Sequence, residues 1–129
     1  MKVYSGKSII EQKTFAFSKR ILDLYKHLMQ NKKEFILSKQ IFRSGTSIGA
    51  NVIEAEEGES RSDFRHKLNI ALKETSETIY WLRLLNYGEY INDKEFQSLY
   101  SDANEIRKIL TAIIKKLKTD SGTQTLKED

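Results

Sequence analysis

A chain of 129 residues, 39% hydrophobic and 31% charged, is long enough to bury one core without staples, so a single domain is expected. It has no Cys, which excludes disulfides, thiol catalysis and thiolate-bound zinc, and no Pro, so its helices can run without interruption. The net charge of +4 is unevenly spread: residues 1–43 hold ten Lys and Arg against three acids, residues 44–104 six against eleven.

The apolar residues recur with helical period nearly throughout. The first segment, about 8–31, opens on Ser8 with Glu11 three residues later, the spacing of a capping box. Phe15, Ile21, Leu22, Tyr25, Leu28 and Met29 are its expected apolar stripe, and "QNKKE" ends it. The second, about 38–57, is expected to start with Ser38 as N-cap and to bury Ile41, Gly45, Ile48, Val52 and Ala55. Gly58 suits the position after its end.

The third segment, about 60–87, starts at Ser60 with Asp63 in the capping-box position. Phe64, Leu68, Ala71, Thr75, Ile79 and Leu82 share one face, and Gly88 is a natural stop. The fourth, about 92–118, pairs Asn92 with Glu95 and carries Phe96, Leu99, Ala103, Ile106, Leu110, Ile113 and Leu117. Residues 119–129 read as a disordered polar tail. Four helices with short links predict an all-α, antiparallel up-down-up-down four-helix bundle. No apolar run is long enough to span a membrane, and the first residues lack the apolar core of a signal peptide, so a cytoplasmic location is expected.

The stretch "RSGTSIGANVIEAEEGES", residues 43–60, mixes small, apolar and polar residues in a regular series. Gly45 and Gly49, one turn apart at the edge of the apolar stripe, allow a neighbouring backbone to come close. Each costs about 1 kcal/mol of helix propensity relative to Ala, which calls for a packing reason. Arg43, Ser47, Asn51 and Glu54 lie beside the core stripe. Lys67, Glu74 and Glu77 on the third segment are candidate partners, as a polar network between helices or between subunits. Ile70, Trp81 and Leu84 form a second apolar sector there, which a monomeric bundle does not need and a second copy of the chain could cover.

Nothing points to an enzyme. Carboxylate-bridged di-metal bundles use Glu-x-x-His pairs, and neither His27 nor His66 follows a Glu by three. Ser47 has no base at a readable spacing, and Gly45–Gly49 lacks both the preceding strand and the Lys of a phosphate loop. No catalytic residue, metal, cofactor or small-molecule substrate is expected. Basic residues are the stronger signal: Lys19, Arg20 and Lys26 on the first helix, and Arg107, Lys108, Lys115 and Lys118 on the fourth, are candidates for phosphate contact with structured RNA or DNA. A protein-interaction scaffold is the alternative, with Glu56, Glu57, Glu59 and Asp63 docking a basic partner.

Residues 38–87 carry an ordered set of short motifs: Gln40, Arg43, Ser47-Ile48, Asn51-x-x-Glu54, Ser62-x-Phe64, Ala71-x-x-Glu74, Glu77 and Tyr80-Trp81-Leu82. The set resembles the four-helix-bundle proteins encoded in intervening sequences of bacterial 23S rRNA genes, once labelled a ribosomal protein family, and the resemblance extends over roughly 8–118. One departure is Ala55-Glu56-Glu57-Gly58, where many relatives place Gly directly after the glutamate of the Asn-x-x-Glu motif. The resemblance implies a homopentameric ring. It also implies kinship with the accessory protein of diversity-generating retroelements, a basic pentameric barrel that binds nucleic acid and a reverse transcriptase. On that basis the expected partners are further copies of the chain and RNA or DNA. In the scaffold alternative the partner is a protein such as a reverse transcriptase.

Overall fold

The computed structural model describes the backbone of residues 8–128 and the side chains of residues 8–117. It contains four helices, α1 (Ile9–Gln30), α2 (Leu37–Glu56), α3 (Arg61–Tyr87) and α4 (Asp93–Glu128), and no strand among the described residues. The backbone of α4 continues past residue 118, the end that periodicity predicts for the fourth segment; the side chain of Lys118 and those after it lie outside the described residues. Each helix packs against two others: α1 on α2 and α4, α3 on α2 and α4. This arrangement is consistent with a four-helix bundle. No helix among the described residues is long and apolar enough to cross a membrane.

Three helix starts follow the capping logic of the sequence. The Ser8 hydroxyl accepts from the Glu11 amide at 3.1 Å, and Ser60 accepts from Asp63 at 3.0 Å. Asn92 and Glu95 cap reciprocally, Glu95 N–H to Asn92 Oδ1 at 2.7 Å and Asn92 N–H to Glu95 Oε1 at 2.8 Å.

The start of α2 differs from expectation. Ser38 is not its cap but lies inside the first turn, fully buried. The capping group is the carboxylate of Glu34, which accepts from the amides of Ile36 (3.2 Å), Leu37 (2.9 Å) and Ser38 (2.6 Å). Lys33, at φ 57°, turns the chain so that Glu34 can fold under the helix end. The helix ends also differ at the glycines. Gly58 does not take a left-handed conformation, and at the end of α3 Glu89 does so (φ 66°) in place of Gly88. The bonds Tyr90 N–H to Leu85 O and Glu89 N–H to Asn86 O close that end as a Schellman motif.

The core joins Phe17, Ile21 and Leu28 of α1 to Ile41, Ile48 and Val52 of α2, Leu68, Leu82 and Leu85 of α3, and Ile106 and Leu110 of α4, all essentially inaccessible. Complete burial of such side chains is worth about 1.5–3 kcal/mol each. The expected stripes of α2 and α3 are buried, with Phe64 half-buried at the margin. The stripe expected on α1 is rotated. Ile10, Thr14, Phe17, Ile21, Leu24 and Leu28 face inward, leaving Phe15 and Leu22 60% and 41% exposed.

Both glycines of α2 face α1. A Cβ built on Gly45 would lie 2.8 Å from Ile21 Cγ1, so the missing side chain makes room for the core there. A Cβ on Gly49 would meet Ser18 and Thr14 at 3.4 Å, an ordinary contact distance.

Candidate functional site

The polar flank of α2 meets α3 in two places. Near the middle, Arg43 donates to Glu74 Oε1 at 3.3 Å and to Glu77 Oε2, and the Trp81 indole N–H donates to that same Glu77 oxygen at 3.0 Å. Nearer the end of α2, Lys67 pairs with Glu54 at 2.8 Å. The guanidinium of Arg43 and the indole of Trp81 hold the Glu77 carboxyl below the usual carboxylate range. The two acids in turn raise Arg43. Under the network, Thr78 donates to Ser44 at 2.8 Å as a buried hydroxyl pair between the helices.

Ser47 and Asn51 stand apart from these bonds. The Ser47 hydroxyl donates to the Arg43 carbonyl at 2.6 Å, and the Asn51 amide to the Ser47 carbonyl at 2.8 Å, both within α2. On α3, Ile70, Trp81 and Leu84 are half-buried. Trp81 packs edge-on against Tyr80, with centroids 5.2 Å apart and ring planes at 68°.

The basic residues separate into engaged and exposed groups. Arg20 is a tether between α1 and α4, bonded to Asp102 Oδ2 at 2.8 Å, Ser98 Oγ at 2.9 Å and the Ser98 carbonyl at 3.3 Å. Arg107 donates to Asn104 at 2.6 Å. Lys19, Lys26 and Lys108 are exposed, and Lys19 sits 5.1 Å from the centre of the Phe15 ring; Lys115 is exposed but is also engaged. Lys118 lies outside the described side chains.

One apolar recess among the described residues is not revealed by periodicity. A groove of about 430 Å³ between α1 and α2 is lined by Thr14, Phe15, Ser18, Gly49, Ala50 and Ile53, among others. Its visible signal in the sequence is the surplus of apolar residues on α1, which exceeds what one stripe can bury. Sequence reasoning also misses Glu34 and the exposed tyrosines of α3. The spacing of Tyr80 and Tyr87, seven apart and off the core stripe, is the available signal for the latter.

No curated protein matches this chain. A crystal structure from Bacteroides thetaiotaomicron VPI-5482, of a protein of unknown function from the S23 ribosomal protein family, superposes with a TM-score of 0.82. The two sequences are 54% identical over 83% of this chain and 99% of that one. The family model for the 23S rRNA-intervening sequence protein matches residues 6–112, a span that takes in α1, α2, α3 and most of the core face of α4. With the ordered motifs of α2 and α3 inside that span, the chain belongs to the 23S rRNA-intervening sequence protein family.

Proposed function

We propose that the protein is a non-catalytic, oligomeric four-helix bundle that binds structured RNA or DNA through basic faces of α1 and α4. The observation that carries this reading is the state of the cations on those helices. Lys19, Lys26 and Lys108 are exposed and form no ion pair among the described residues, so they are open to phosphate. The family's rRNA-linked name favours RNA as the polyanion.

Helices run up-down-up-down and antiparallel in this reading. Contacts that step in opposite directions along neighbouring helices support it: Ser8 with Glu56 and Ile21 beside Gly45; Arg43 with Glu77 and Lys67 with Glu54; Lys13 with Glu105 and Arg20 with Asp102. The assembly is a closed ring, a pentamer by family resemblance. A cyclic ring joins two different surfaces of the subunit. The apolar groove between α1 and α2 is one candidate, and half-buried Ile70, Trp81 and Leu84 of α3 are the other. Repetition of weak phosphate contacts around the ring raises avidity without new contacts. The protein acts in the cytoplasm in this reading.

The same groove favours a second reading, in which the bundle is a scaffold for a protein partner and touches no nucleic acid. Fluorescence anisotropy of nuclease-treated protein with structured RNA and duplex DNA across a salt series separates the two. A steep fall of log K with log salt is the expected result. No binding at low salt removes the nucleic-acid reading and leaves the scaffold.

A further inference from the structure

The outward face of α3 carries a pattern that neither the core nor the α2 network uses. On a helical wheel Arg65, Lys73, Tyr80, Arg83 and Tyr87 fall within about 80°, with only Ser62, Asn69 and Ser76 among them. No acid and no aliphatic residue stands in this stripe; Glu74 and Glu77 lie outside it, on the side facing Arg43. Arg65, Lys73 and Arg83 form no ion pair among the described residues. Tyr80 is 54% exposed and Tyr87 86% exposed, so about half of the first side chain and most of the second remain open. A hollow of about 240 Å³ lies between Tyr80, Arg83, Leu84 and Tyr87.

We propose that this face is a stacking platform for unpaired nucleotides, with Tyr80 and Tyr87 meeting bases and Arg65, Lys73 and Arg83 meeting phosphates. The platform rests on the nucleic-acid reading above and adds to it a second site for a different substrate class, single strands in place of helices. Aromatic rings between cations along a groove are how sequence-tolerant single-strand binders work, because every base offers a π face. The two tyrosines are seven residues apart, about 10.5 Å along the helix, so one single strand can reach both.

Tyr80 is held in place by a chain of contacts that starts on α2. Arg43 fixes Glu77, Glu77 accepts from the Trp81 indole, and Trp81 packs edge-on against Tyr80. An oriented ring loses less freedom when a base stacks on it. A protein partner fits the stripe less well. The stripe holds three cations and no acid, a charge pattern complementary to a phosphate backbone and not to a protein surface of mixed sign.

The test is fluorescence anisotropy with the full chain, using a labelled single-stranded oligouridylate and a blunt RNA duplex at one salt concentration. The variants are Y80A/Y87A and Y80F/Y87F, with sedimentation velocity run on each. The double alanine variant is expected to bind the single strand about tenfold or more weakly and the duplex as before. The double phenylalanine variant is expected to bind both as wild type does, because stacking needs the ring and not the hydroxyl. Unchanged single-strand binding by Y80A/Y87A overturns the platform while leaving duplex binding by α1 and α4 intact. Failure of wild type to bind either RNA overturns both. A smaller assembly for Y80A/Y87A with unchanged RNA affinity makes the face a contact between copies and also overturns the platform.

Discussion

Gly45 and Ile21 occupy one space. The Cβ that Gly45 lacks would fall 2.8 Å from Cγ1 and 3.0 Å from Cγ2 of Ile21, a side chain that is itself completely buried. Gly45→Ala therefore overpacks the α1–α2 contact, at a cost of about 1–3 kcal/mol that outweighs the gain of about 1 kcal/mol in helix propensity. Gly49→Ala meets only ordinary contact distances and is expected to be neutral or to stabilise by up to about 1 kcal/mol. Thermal denaturation of the two variants side by side checks the contrast, and equal melting temperatures refute it.

Removal of the Glu34 carboxylate leaves three amides at the start of α2 without their acceptor. Glu34→Ala is expected to lower stability by about 1–3 kcal/mol, the cost of unpairing the buried Ser38 amide and two part-buried ones. Glu34→Gln keeps one amide oxygen and is expected to fall between the two. Denaturant titrations of the three proteins give the order directly.

Trp81 is the single tryptophan, so its fluorescence reports the Arg43–Glu77–Trp81 cluster. The Glu77 pKa is depressed in the folded state by Arg43 first and then by Trp81. The cluster's stabilisation is accordingly complete above the ordinary carboxylate pKa and is lost as pH falls through the lower folded value. An acid titration of Trp81 emission is expected to show its midpoint below the ordinary glutamate range. Arg43→Met is expected to move that midpoint upward; an unmoved midpoint separates Trp81 from Arg43.

The cations of α4 act at long range in the proposed nucleic-acid complex. Substitution of Lys108, Lys115 and Lys118 together by Ala should flatten the salt dependence of binding, the slope changing by about one for each phosphate no longer neutralised. Arg20→Ala should leave the slope nearly unaltered and lower stability by about 1 kcal/mol or less, because Arg20 is occupied by Asp102 and Ser98. A slope unchanged by the triple substitution takes α4 out of the binding face.

Self-association should depend on the α1–α2 groove. Phe15→Glu and Ile53→Glu place charge in an apolar recess without touching the core, since Phe15 is 60% and Ile53 37% exposed. Sedimentation velocity is expected to show smaller species with unchanged helical circular dichroism. Wild-type-sized species for both variants move the contact elsewhere.

Much of this architecture is legible from local chemistry. Ser8, Ser60 and Asn92 mark helix starts because their partners lie three residues away, within reach of sequence pattern. The flank of Arg43 is readable as a polar contact with Glu74 and Glu77 because both sets stand beside their core stripes. Glu34 is not readable, since its action depends on the left-handed turn at Lys33. The facing of α1 escapes the pattern for a different reason. With apolar residues at Phe15, Phe17, Leu22 and Leu24, two rotations of the helix satisfy the period, and only the neighbours α2 and α4 choose between them. The exposure of Tyr80 and Tyr87 is likewise a product of packing, not of spacing alone.

The inward-folded carboxylate at the start of α2 has a consequence for how polyanions can be gripped. A helix beginning ordinarily offers its open amides and positive dipole end to any passing phosphate. Here the chain supplies its own anion to that position, so the amides of Ile36, Leu37 and Ser38 are already satisfied and are not open to a foreign phosphate. Recognition there must come from flexible side chains alone, which favours a tolerant grip over a rigid one.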